Sequence, residues 1–564
     1  MTTKPPPKYE PNKVGDNSAT VDIDVFPNTD EEEKAKDETC SHGSMDGASR
    51  VVQRQLKQRH ISMIAMAGTI GTGLFLGSGQ ALRHGGPVGT LLGYSLMGIV
   101  VFSMQVSLGE MVTMFPVTGA IPYYAERFVD PAMGFAVGVN ICCAATVALA
   151  AEITAAAILI QYWDITTPAW IYISIFVFSI CAINLFGVKW YGEAEFVFSS
   201  IKLLVIVLLI ILGIVLDLGG GPNHDRIGFR YWVHPGPFTQ LHDIAGPTGR
   251  FLGFWTVFIQ AAYSYQGIES VAIMAGEAEN PRKSIPKAIK RIFFRISIFY
   301  IGGVAVAGLL VPSNSPQLAS ARGHETAQAS PFVIAINSGG IRILPDIVNA
   351  AILISAYSTG NTALYCGSRV LHGLASRGMA PSLFTRCTQS GIPILALIPT
   401  AAGGLLAFLR LNNSGETVFR WLTRISAVTG LFTWLSVLIS YLRFYHAMKH
   451  QGIDRNKIPY KSPLQPYLAY FGLLMIAMVI LFNGFEVFLK DNWSTSNFIT
   501  NYITIVVYML LYVFWKLTKR CKLVRIPHMD LVAGTKQFEL MDEYFKKTAQ
   551  PPRSWLGRFW DWLM

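Results

Sequence analysis

Charged side chains are scarce in this chain. Only 14% of its 564 residues are Asp, Glu, Lys or Arg, and 51% are hydrophobic, whereas about 25% of the residues of soluble proteins are charged. The net charge of +11 does not indicate a nucleic-acid partner, because the chain has no basic soluble domain to bind one. The composition instead indicates a protein that lies in a lipid bilayer.

Patterns that carry catalytic or metal chemistry are missing too. The seven cysteines form neither a disulfide framework nor a Cys-X-X-Cys pair, so we expect neither disulfides nor a metal site. The histidines lie mostly in loops and tails, and no span gathers a serine, a histidine and an aspartate. We therefore expect no catalytic residues, no cofactor and no enzymatic activity.

Long apolar runs dominate the sequence from residue 61 to about 517. Each run is close to the length of about 20 residues that a helix needs to cross a bilayer. The pattern predicts an all-α polytopic membrane protein with twelve transmembrane helices. The predicted spans are about 61–82, 87–115, 134–161, 168–187, 194–217, 250–275, 288–311, 344–373, 392–410, 417–444, 467–489 and 497–517.

Both ends of the chain are predicted to be cytosolic tails. Residues 1–60 are rich in proline, lysine and acidic side chains and are predicted to be disordered, because they cannot bury a core. They contain no signal peptide, which places them in the cytosol, and the Lys and Arg bias of the inner loops agrees. An even number of spans returns residues 518–564 to the same side. Candidate sites for a ubiquitin ligase and its adaptors are Lys4, Lys8, Lys13, Lys34 and Lys36.

Glycines interrupt the first predicted span. The stretch "AGTIGTGLF", residues 67–75, contains Gly68, Gly71 and Gly73, and each glycine costs a helix about 1 kcal/mol relative to alanine. A nucleotide-binding loop is excluded, because no strand precedes the stretch and no Lys-Ser/Thr follows it. Two interpretations remain: a small-residue face for helix packing, or a discontinuous helix whose free N–H groups bind a carboxylate at the bilayer centre.

A matching interruption is predicted in span six. In "AAYSYQGIESVAIMAGE", residues 261–277, a glycine and several polar side chains interrupt an apolar stretch. Transporters built from inverted repeats have interrupted helices at corresponding positions of their two halves. If spans one to five form the first repeat, span six opens the second, so the two interruptions support the discontinuous-helix interpretation together.

Several long motifs resemble those of the fungal amino-acid permeases, the yeast amino acid transporter family of the amino acid–polyamine–organocation superfamily. They include "LKQRHISMIAMAGTIGTGLFLGSGQAL", "FPVTGAIPYYAERFVDPAMGFAVG" and "GEAENPRKSIPKAIKRIFFRISIFYI", and the resemblance runs from about residue 57 to 535. It implies a proton-driven amino-acid importer in the plasma membrane, with the proton as coupling ion. It also implies a leucine-transporter-like five-plus-five fold, with repeats at about 61–217 and 250–444 and peripheral helices at about 467–517.

The resemblance further implies where an amino acid binds. Its carboxylate would meet the backbone amides of Gly71, Thr72 and Gly73. Its ammonium group would meet backbone carbonyls at Ile70 and in the span-six interruption. The residues of that interruption are Tyr263, Ser264, Gln266 and Gly267. One stretch departs from the family, since "NICCAATVAL" in span three replaces an aromatic-rich sequence.

Four buried ionisable residues need an explanation, because a charge at mid-bilayer costs at least about 2.5–3.5 kcal/mol. Lys202 lies about 12 Å inside span five and either snorkels to the headgroups or, by resemblance, replaces the sodium ion of related symporters and exchanges the coupled proton. Glu269 is a candidate for proton coupling or for holding a cationic side chain, and otherwise a hydrogen-bonding partner at a helix end. Glu152 and Glu110 are predicted to be structural hydrogen-bond acceptors.

Two other functions stay open at this point. One is an amino-acid sensor or transceptor on the same fold with little flux. The other is a transporter of polyamines or other amines. Tails of about 60 and 47 residues favour transport, because sensors of this kind carry longer ones. A channel is disfavoured, because no filter or pore helix is visible.

Overall fold

The computed structural model describes residues 56–65, 70–319, 330–341, 343–411 and 414–532. Most of the predicted N-terminal tail, Gly68 and the end of the C-terminal tail lie outside the described residues. The five candidate ubiquitin sites lie outside them as well: Lys4, Lys8, Lys13, Lys34 and Lys36.

Helices form nearly all of the described structure. The helices up to the middle of the chain are α1 (Gln58–Met63), α2 (Gly73–Met114), α3 (Ala120–Phe128), α4 (Pro131–Ile160), α5 (Ala169–Leu185), α6 (Val188–Asp217), α7 (Arg230–Val233), α8 (Gly246–Tyr265) and α9 (Ser270–Ile273). The remaining helices are α10 (Pro281–Leu310), α11 (Pro316–Ala319), α12 (Pro331–Ser338), α13 (Leu344–Ser376), α14 (Ile394–Leu411), α15 (Gly415–His450), α16 (Tyr467–Leu481) and α17 (Thr495–Lys519). Short 3₁₀ turns occupy Leu241–Asp243, Met274–Glu277, Ser382–Thr385, Arg455–Lys457, Phe485–Phe488 and Ile526–His528.

Local sequence explains where several helices begin. The Asp130 side chain accepts a hydrogen bond from the Met133 amide at 2.7 Å, and Pro131 fills the first position of α4. The side chain of Asn280 caps α10 in the same way. Such side chains satisfy N–H groups that have no partner within the helix.

Helix α2 is too long for a single crossing. Its 42 residues span about 63 Å, about twice the thickness of the hydrocarbon core. Gly86 divides it with a φ of 73°, which only glycine adopts without strain. Its first part therefore corresponds to the predicted first span and its second part to the predicted second span.

Eight of the described helices are long and apolar enough to cross a membrane. Helix α5 is apolar but shorter, whereas α8 and α13 are long but carry more polar side chains. Each predicted span nevertheless overlaps a described helix. The number of twelve spans and the five-plus-five arrangement stay predictions.

Both predicted interruptions are present in the described chain. Ile70 and Gly71 are not helical, and α2 begins at Gly73. Helix α8 ends at Tyr265, after which Gly267 takes a φ of 85°, and α9 starts at Ser270. The helices around these interruptions pack closely on one another. Helix α4 packs against α13 and α15, and α2 packs against α8.

Two terminal segments join the helical core. The Leu56 amide donates to the Glu277 carbonyl at 3.0 Å, and the Glu279 amide donates to the Leu56 carbonyl at 3.1 Å. After α17, the side chains of Met529 and Leu531 are buried. The predicted C-terminal tail, residues 518–564, therefore begins with a stretch that packs on the core.

Candidate functional site

A cavity lies where the two helix interruptions meet. Helices α4 and α13 form its other walls. The residues that line it are Gly71, Gly73, Ile141, Ala144, Ala145, Ala148, Glu152, Tyr263, Ser264, Gln266, Gly267, Glu269, Ser270, Ile273, Thr359, Thr362, Ala363 and Cys366. Six of the predicted substrate-binding residues thus face one space.

The two interruptions touch through Gly73 and Ser264. The Ser264 hydroxyl donates to the Gly73 carbonyl at 2.7 Å, and the Tyr94 hydroxyl lies 2.8 Å from Ser264 Oγ. A Cβ atom on Gly73 would lie 2.7 Å from the Cα of Ser264, so only glycine permits this approach. At Gly73, therefore, both interpretations of the glycines apply: the residue lies at a helix interruption and also allows close packing.

The start of α2 offers backbone amides to a ligand. Thr72 occupies the position before the helix, and its own side chain does not cap the first turn. Uncapped N–H groups at a helix start favour an anion, because the helix dipole is positive there. This is the place where the resemblance puts the substrate carboxylate.

The carbonyl of Ile70 is held by α13. The Ser355 hydroxyl donates to it at 2.7 Å, and the Thr359 hydroxyl donates at 3.2 Å. A substrate ammonium group at Ile70 would share this oxygen with those two hydroxyls. Helix α13 thus fixes the interrupted backbone, a role that the sequence did not suggest.

Glu152 projects from α4 into the first interruption. It is 4% exposed, and its Oε1 would lie 2.6 Å from a Cβ atom on Gly71. The Tyr263 hydroxyl donates to Oε1 at 3.3 Å, and the carboxylate lies beside the amide and hydroxyl of Thr72. Glu152 is predicted to be structural, yet the structure places it in the cavity.

Lys202 lies behind the first interruption. Its ammonium group donates to Thr359 Oγ1 at 3.3 Å and lies 3.9 Å from Glu195 Oε1, with both side chains fully buried. The Ser358 hydroxyl donates to the same carboxylate oxygen at 2.6 Å. Snorkelling to the headgroups does not describe this lysine, because its charged end is enclosed.

The second interruption is held by α15. The Ser426 hydroxyl donates to Gln266 Oε1 at 2.7 Å, and Gln266 Nε2 donates to the Ser426 carbonyl at 2.9 Å. The Trp434 indole donates to Glu269 Oε2 at 3.1 Å. Glu269 lines the cavity and also has the hydrogen-bonding role that the alternative interpretation gave it.

Two features of the site carried sequence signals that were missed. Glu195 lies seven residues before Lys202, and that spacing puts both side chains on one face of a helix. Ser355 and Thr359 are four residues apart in the polar stretch "ISAYSTGNTA" and share a face for the same reason. Neither spacing showed which other helix the face would meet.

Small side chains of α4 form an apolar wall. Ala144, Ala145 and Ala148 line the cavity beside Ile141. They belong to the stretch "NICCAATVAL". Small side chains leave space next to the helix interruptions, and that space is available to a substrate side chain.

Fold and site together define a multi-pass membrane protein with a ligand cavity at two interrupted helices. The part of the chain that the structure describes contains no group of three or more His, Cys, Asp or Glu residues that could hold a metal ion. The cavity offers amides, carbonyls and buried charges, which suit a small zwitterion.

Comparisons with known proteins give the family. The family model for amino acid permeases matches residues 60–528. The chain is 42% identical to the proline-specific permease of Emericella nidulans, over 91% of this chain and 93% of that protein. It is 41% identical to the dicarboxylic amino acid permease of Saccharomyces cerevisiae, over 87% and 81%, and 40% identical to the lysine-specific permease of the same yeast, over 90% and 82%.

This chain belongs to the amino acid permease family. The recognition made from its motifs is therefore confirmed, and amino-acid transport across a membrane is supported. Membership of a family of permeases also agrees with the expectation that the protein is not an enzyme.

Proposed function

We propose that the protein is a proton-coupled amino-acid importer whose substrate binds at the two helix interruptions. The observation that carries this proposal is the direct contact of the interruptions at Gly73 and Ser264, beside a cavity that buried ionisable side chains line. Irregular backbone at membrane depth is tolerated where it lines a cavity. An amino acid supplies an anion and a cation that satisfy such backbone groups.

The substrate carboxylate binds the amides of Gly71, Thr72 and Gly73, at the start of α2, where the side chain of Thr72 forms no cap. Its ammonium group faces the Ile70 carbonyl and the carbonyls of residues 263–266. This orientation follows the helix dipole, which favours negative charge at the start of α2. The side chain then extends toward the wall of α4.

Lys202 carries the coupling charge in this proposal. A charged lysine repels the substrate ammonium group and holds Thr359 beside the Ile70 carbonyl, whereas a neutral lysine does neither strongly. Glu269 is the second candidate, but its carboxylate accepts a hydrogen bond from Trp434. Each imported proton contributes about 2.3 kcal/mol per 100 mV of membrane potential.

For the wider arrangement we propose what the resemblance to the fungal permeases implies. Twelve spans in a five-plus-five inverted repeat would alternate access to the cavity, with both termini in the cytosol and the plasma membrane as location. The tail lysines would then be accessible to a ubiquitin ligase and its adaptors. Deletion of residues 1–50 should slow nutrient-triggered endocytosis, and unchanged turnover would remove this role.

Charge narrows the class of substrate. The relatives are named for proline, dicarboxylic amino acids and lysine, so the family does not fix the side chain. Two carboxylates, Glu152 and Glu269, line the cavity of this protein. We therefore propose neutral or cationic amino acids as substrates, because an anionic side chain would meet like charge.

Uptake in a permease-deficient fungal cell tests the proposal. Labelled L-proline, L-alanine, L-lysine and L-glutamate are supplied at acidic and neutral external pH. We expect uptake of a neutral or cationic member that acid stimulates. No uptake of any amino acid, with protein at the surface, would favour the sensor; uptake of L-glutamate alone would overturn the proposed substrate class.

Two glycine variants test the site. Gly73→Ala places a Cβ atom 2.7 Å from the Ser264 backbone, whereas Gly77→Ala on the same helix meets no atom closer than 3.8 Å. We expect Gly73→Ala to reach the membrane and lose uptake, with Gly77→Ala as the matched control that keeps it. Equal uptake by both variants would contradict a binding site at this contact.

A further inference from the structure

The carboxylate of Glu152 lies where the substrate carboxylate is expected. Oε1 approaches Gly71 so closely that a Cβ atom there would lie 2.6 Å away. The same carboxylate lies beside the amide of Thr72. Gly71 and Thr72 are two of the three residues whose amides would bind the amino acid, so Glu152 and the substrate compete for one place.

Among the described residues, only one oxygen of the buried Glu152 carboxylate has hydrogen-bond partners. Oε1 accepts a hydrogen bond from the Tyr263 hydroxyl at 3.3 Å, and the amide and hydroxyl of Thr72 lie beside the carboxylate. Oε2 is buried and accepts no hydrogen bond of good geometry from the described residues. Buried charges that stay in place are normally paired and fully hydrogen-bonded, so this geometry suits a group that leaves its place during the transport cycle.

The groups around Glu152 come from five elements. Lys202 on α6 is the nearby cation, and Tyr263 on α8 is the titratable neighbour. Thr72 and Thr359 contribute neutral hydroxyl groups from the first interruption and from α13. Glu269 lines the same cavity. Lys202 also faces Glu195 at 3.9 Å, so its charge is shared between two carboxylates.

We propose that Glu152 is a resident carboxylate that occupies the substrate's place on the first interruption until it is protonated. The inference rests on the proposed amino-acid import and names the group through which the proton admits the substrate. Two carboxylates that share one site do not both stay ionised. Neutral Glu152 exerts no like-charge repulsion, so the amides of residues 71–73 become available to the substrate carboxylate.

The order of events follows from this competition. A proton from outside binds one carboxylate oxygen of Glu152, and the amino acid then binds. On the inner side the amino acid leaves, Glu152 releases the proton, and the ionised carboxylate returns to Thr72. One proton therefore enters with each amino acid. Without a proton, the ionised side chain of Glu152 occupies the binding site and excludes the substrate carboxylate.

Transport kinetics test this order in wild type and Glu152→Gln. Uptake of labelled L-proline and of labelled L-lysine is measured against external pH with the membrane potential held constant. In wild type we expect the apparent KM to rise about tenfold per pH unit above the range in which Glu152 is protonated. In Glu152→Gln we expect a KM that does not change with pH, together with exchange of internal for external substrate but no accumulation.

A Lys202→Met variant separates the two coupling candidates. It keeps Glu152, so its apparent KM should still depend on external pH. Accumulation should be lost, because Glu152 without its nearby cation keeps its proton on the inner side. Glu152→Gln with the wild-type pH dependence of KM would overturn the inference, as would a Glu152→Gln protein at the surface that exchanges no substrate. Absence of uptake by wild type would instead contradict the proposed import itself.

Purified wild-type protein provides a test that needs no variant. Binding of the same amino acids in detergent should take up protons, and the number per site should rise toward one as the pH is raised. Calorimetry in buffers of different ionisation enthalpy measures that number. Binding without proton uptake would overturn the inference, even if Glu152→Gln fails to fold.

Discussion

Two buried ion pairs, one beside the middle of α13 and one nearer its C-terminal end, differ in how tightly they are held. Lys202 and Glu195 lie beside the cavity with 3.9 Å between Nζ and Oε1. Arg369 and Glu277 lie beyond the second interruption with 3.1 Å between Nε and Oε1. All four side chains are almost fully buried, so burial does not explain the difference.

The surroundings of the second pair are complete. The Tyr365 hydroxyl donates to Glu277, the guanidinium of Arg369 lies 3.9 Å from the centre of the Tyr365 ring, and it donates to Ser368 Oγ at 3.0 Å. Around Glu195, by contrast, Oε2 accepts no hydrogen bond from the described part of the chain. Satisfied buried networks are rigid and partly satisfied ones are not.

The difference indicates a division of roles. The pair of Arg369 and Glu277 fixes α13 against the segment that follows α9. The pair of Lys202 and Glu195 has fewer partners, which agrees with the proposed exchange of a proton at Lys202. A transporter needs both kinds of pair. A local change of charge can move one helix relative to another only if the rest of the packing is rigid.

Breaking the tight pair should have the largest effect. Arg369→Met leaves Glu277 buried without its cation, and we expect a loss of about 3–5 kcal/mol of stability. Thermal unfolding in detergent and the amount of protein at the cell surface measure it. The double variant Arg369→Met/Glu277→Gln should recover much of this loss, and an Arg369→Met protein as stable as wild type would contradict the assigned role.

Breaking the loose pair should affect transport more than stability. Lys202→Met keeps the length of the side chain and removes the charge, so we expect accumulation of labelled substrate against its gradient to be lost while the protein still reaches the surface. Glu269→Gln is the control. If Glu269→Gln alone uncouples transport and Lys202→Met still accumulates substrate, the glutamate carries the proton.

Removing a single donor from the tight pair should have an intermediate effect. Tyr365→Phe keeps the ring under Arg369 but leaves Glu277 Oε2 without its hydroxyl partner, and such losses cost about 1–3 kcal/mol. Thermal unfolding should show this decrease. An unchanged transition would mean that the hydroxyl contributes nothing to the network.

The smallest expected effect concerns the link from Lys202 to the first interruption. Thr359→Val keeps the shape of the side chain and removes the hydroxyl that joins Lys202 to the Ile70 carbonyl. The variant loses two hydrogen bonds, but Ser355 still holds the Ile70 carbonyl, so we expect a net cost of about 0.5–1.5 kcal/mol and an apparent KM that rises about two- to tenfold. Thr154→Val is the matched control, because the Thr154 hydroxyl donates only within α4. An equal change of KM in both variants would contradict a role for the Thr359 hydroxyl in linking Lys202 to the first interruption.

The sequence predicted the interruptions better than the groups around them. Gly71, Gly73 and Gly267 show where the backbone departs from helix, because glycine weakens a helix and polar neighbours inside an apolar run need a cavity or a partner to face. Ser264 and Tyr263 were predicted to belong to the same site, and they line the cavity with these glycines.

The partners of the ionisable residues were not predictable in the same way. The sequence around Glu152 does not distinguish it from a structural residue. Only the packing of α4 against the first interruption brings it to Thr72. Glu195 lies on the same helix face as Lys202, but the contact with Ser358 requires α13. Sequence spacing places residues on one face of one helix, whereas these contacts depend on which faces meet.

The backbone pairing of Leu56 with residues 277–279 sets a limit for shortening or tagging this protein. A deletion that ends at residue 50 leaves both hydrogen bonds of Leu56 in place, and a reporter fused at that point is separated from them by several residues. A deletion that extends through Lys57 removes both bonds, one of which holds the backbone of Glu277 itself. The first six residues after position 50 therefore decide whether a truncated protein reports on the tail alone or on the helical core as well.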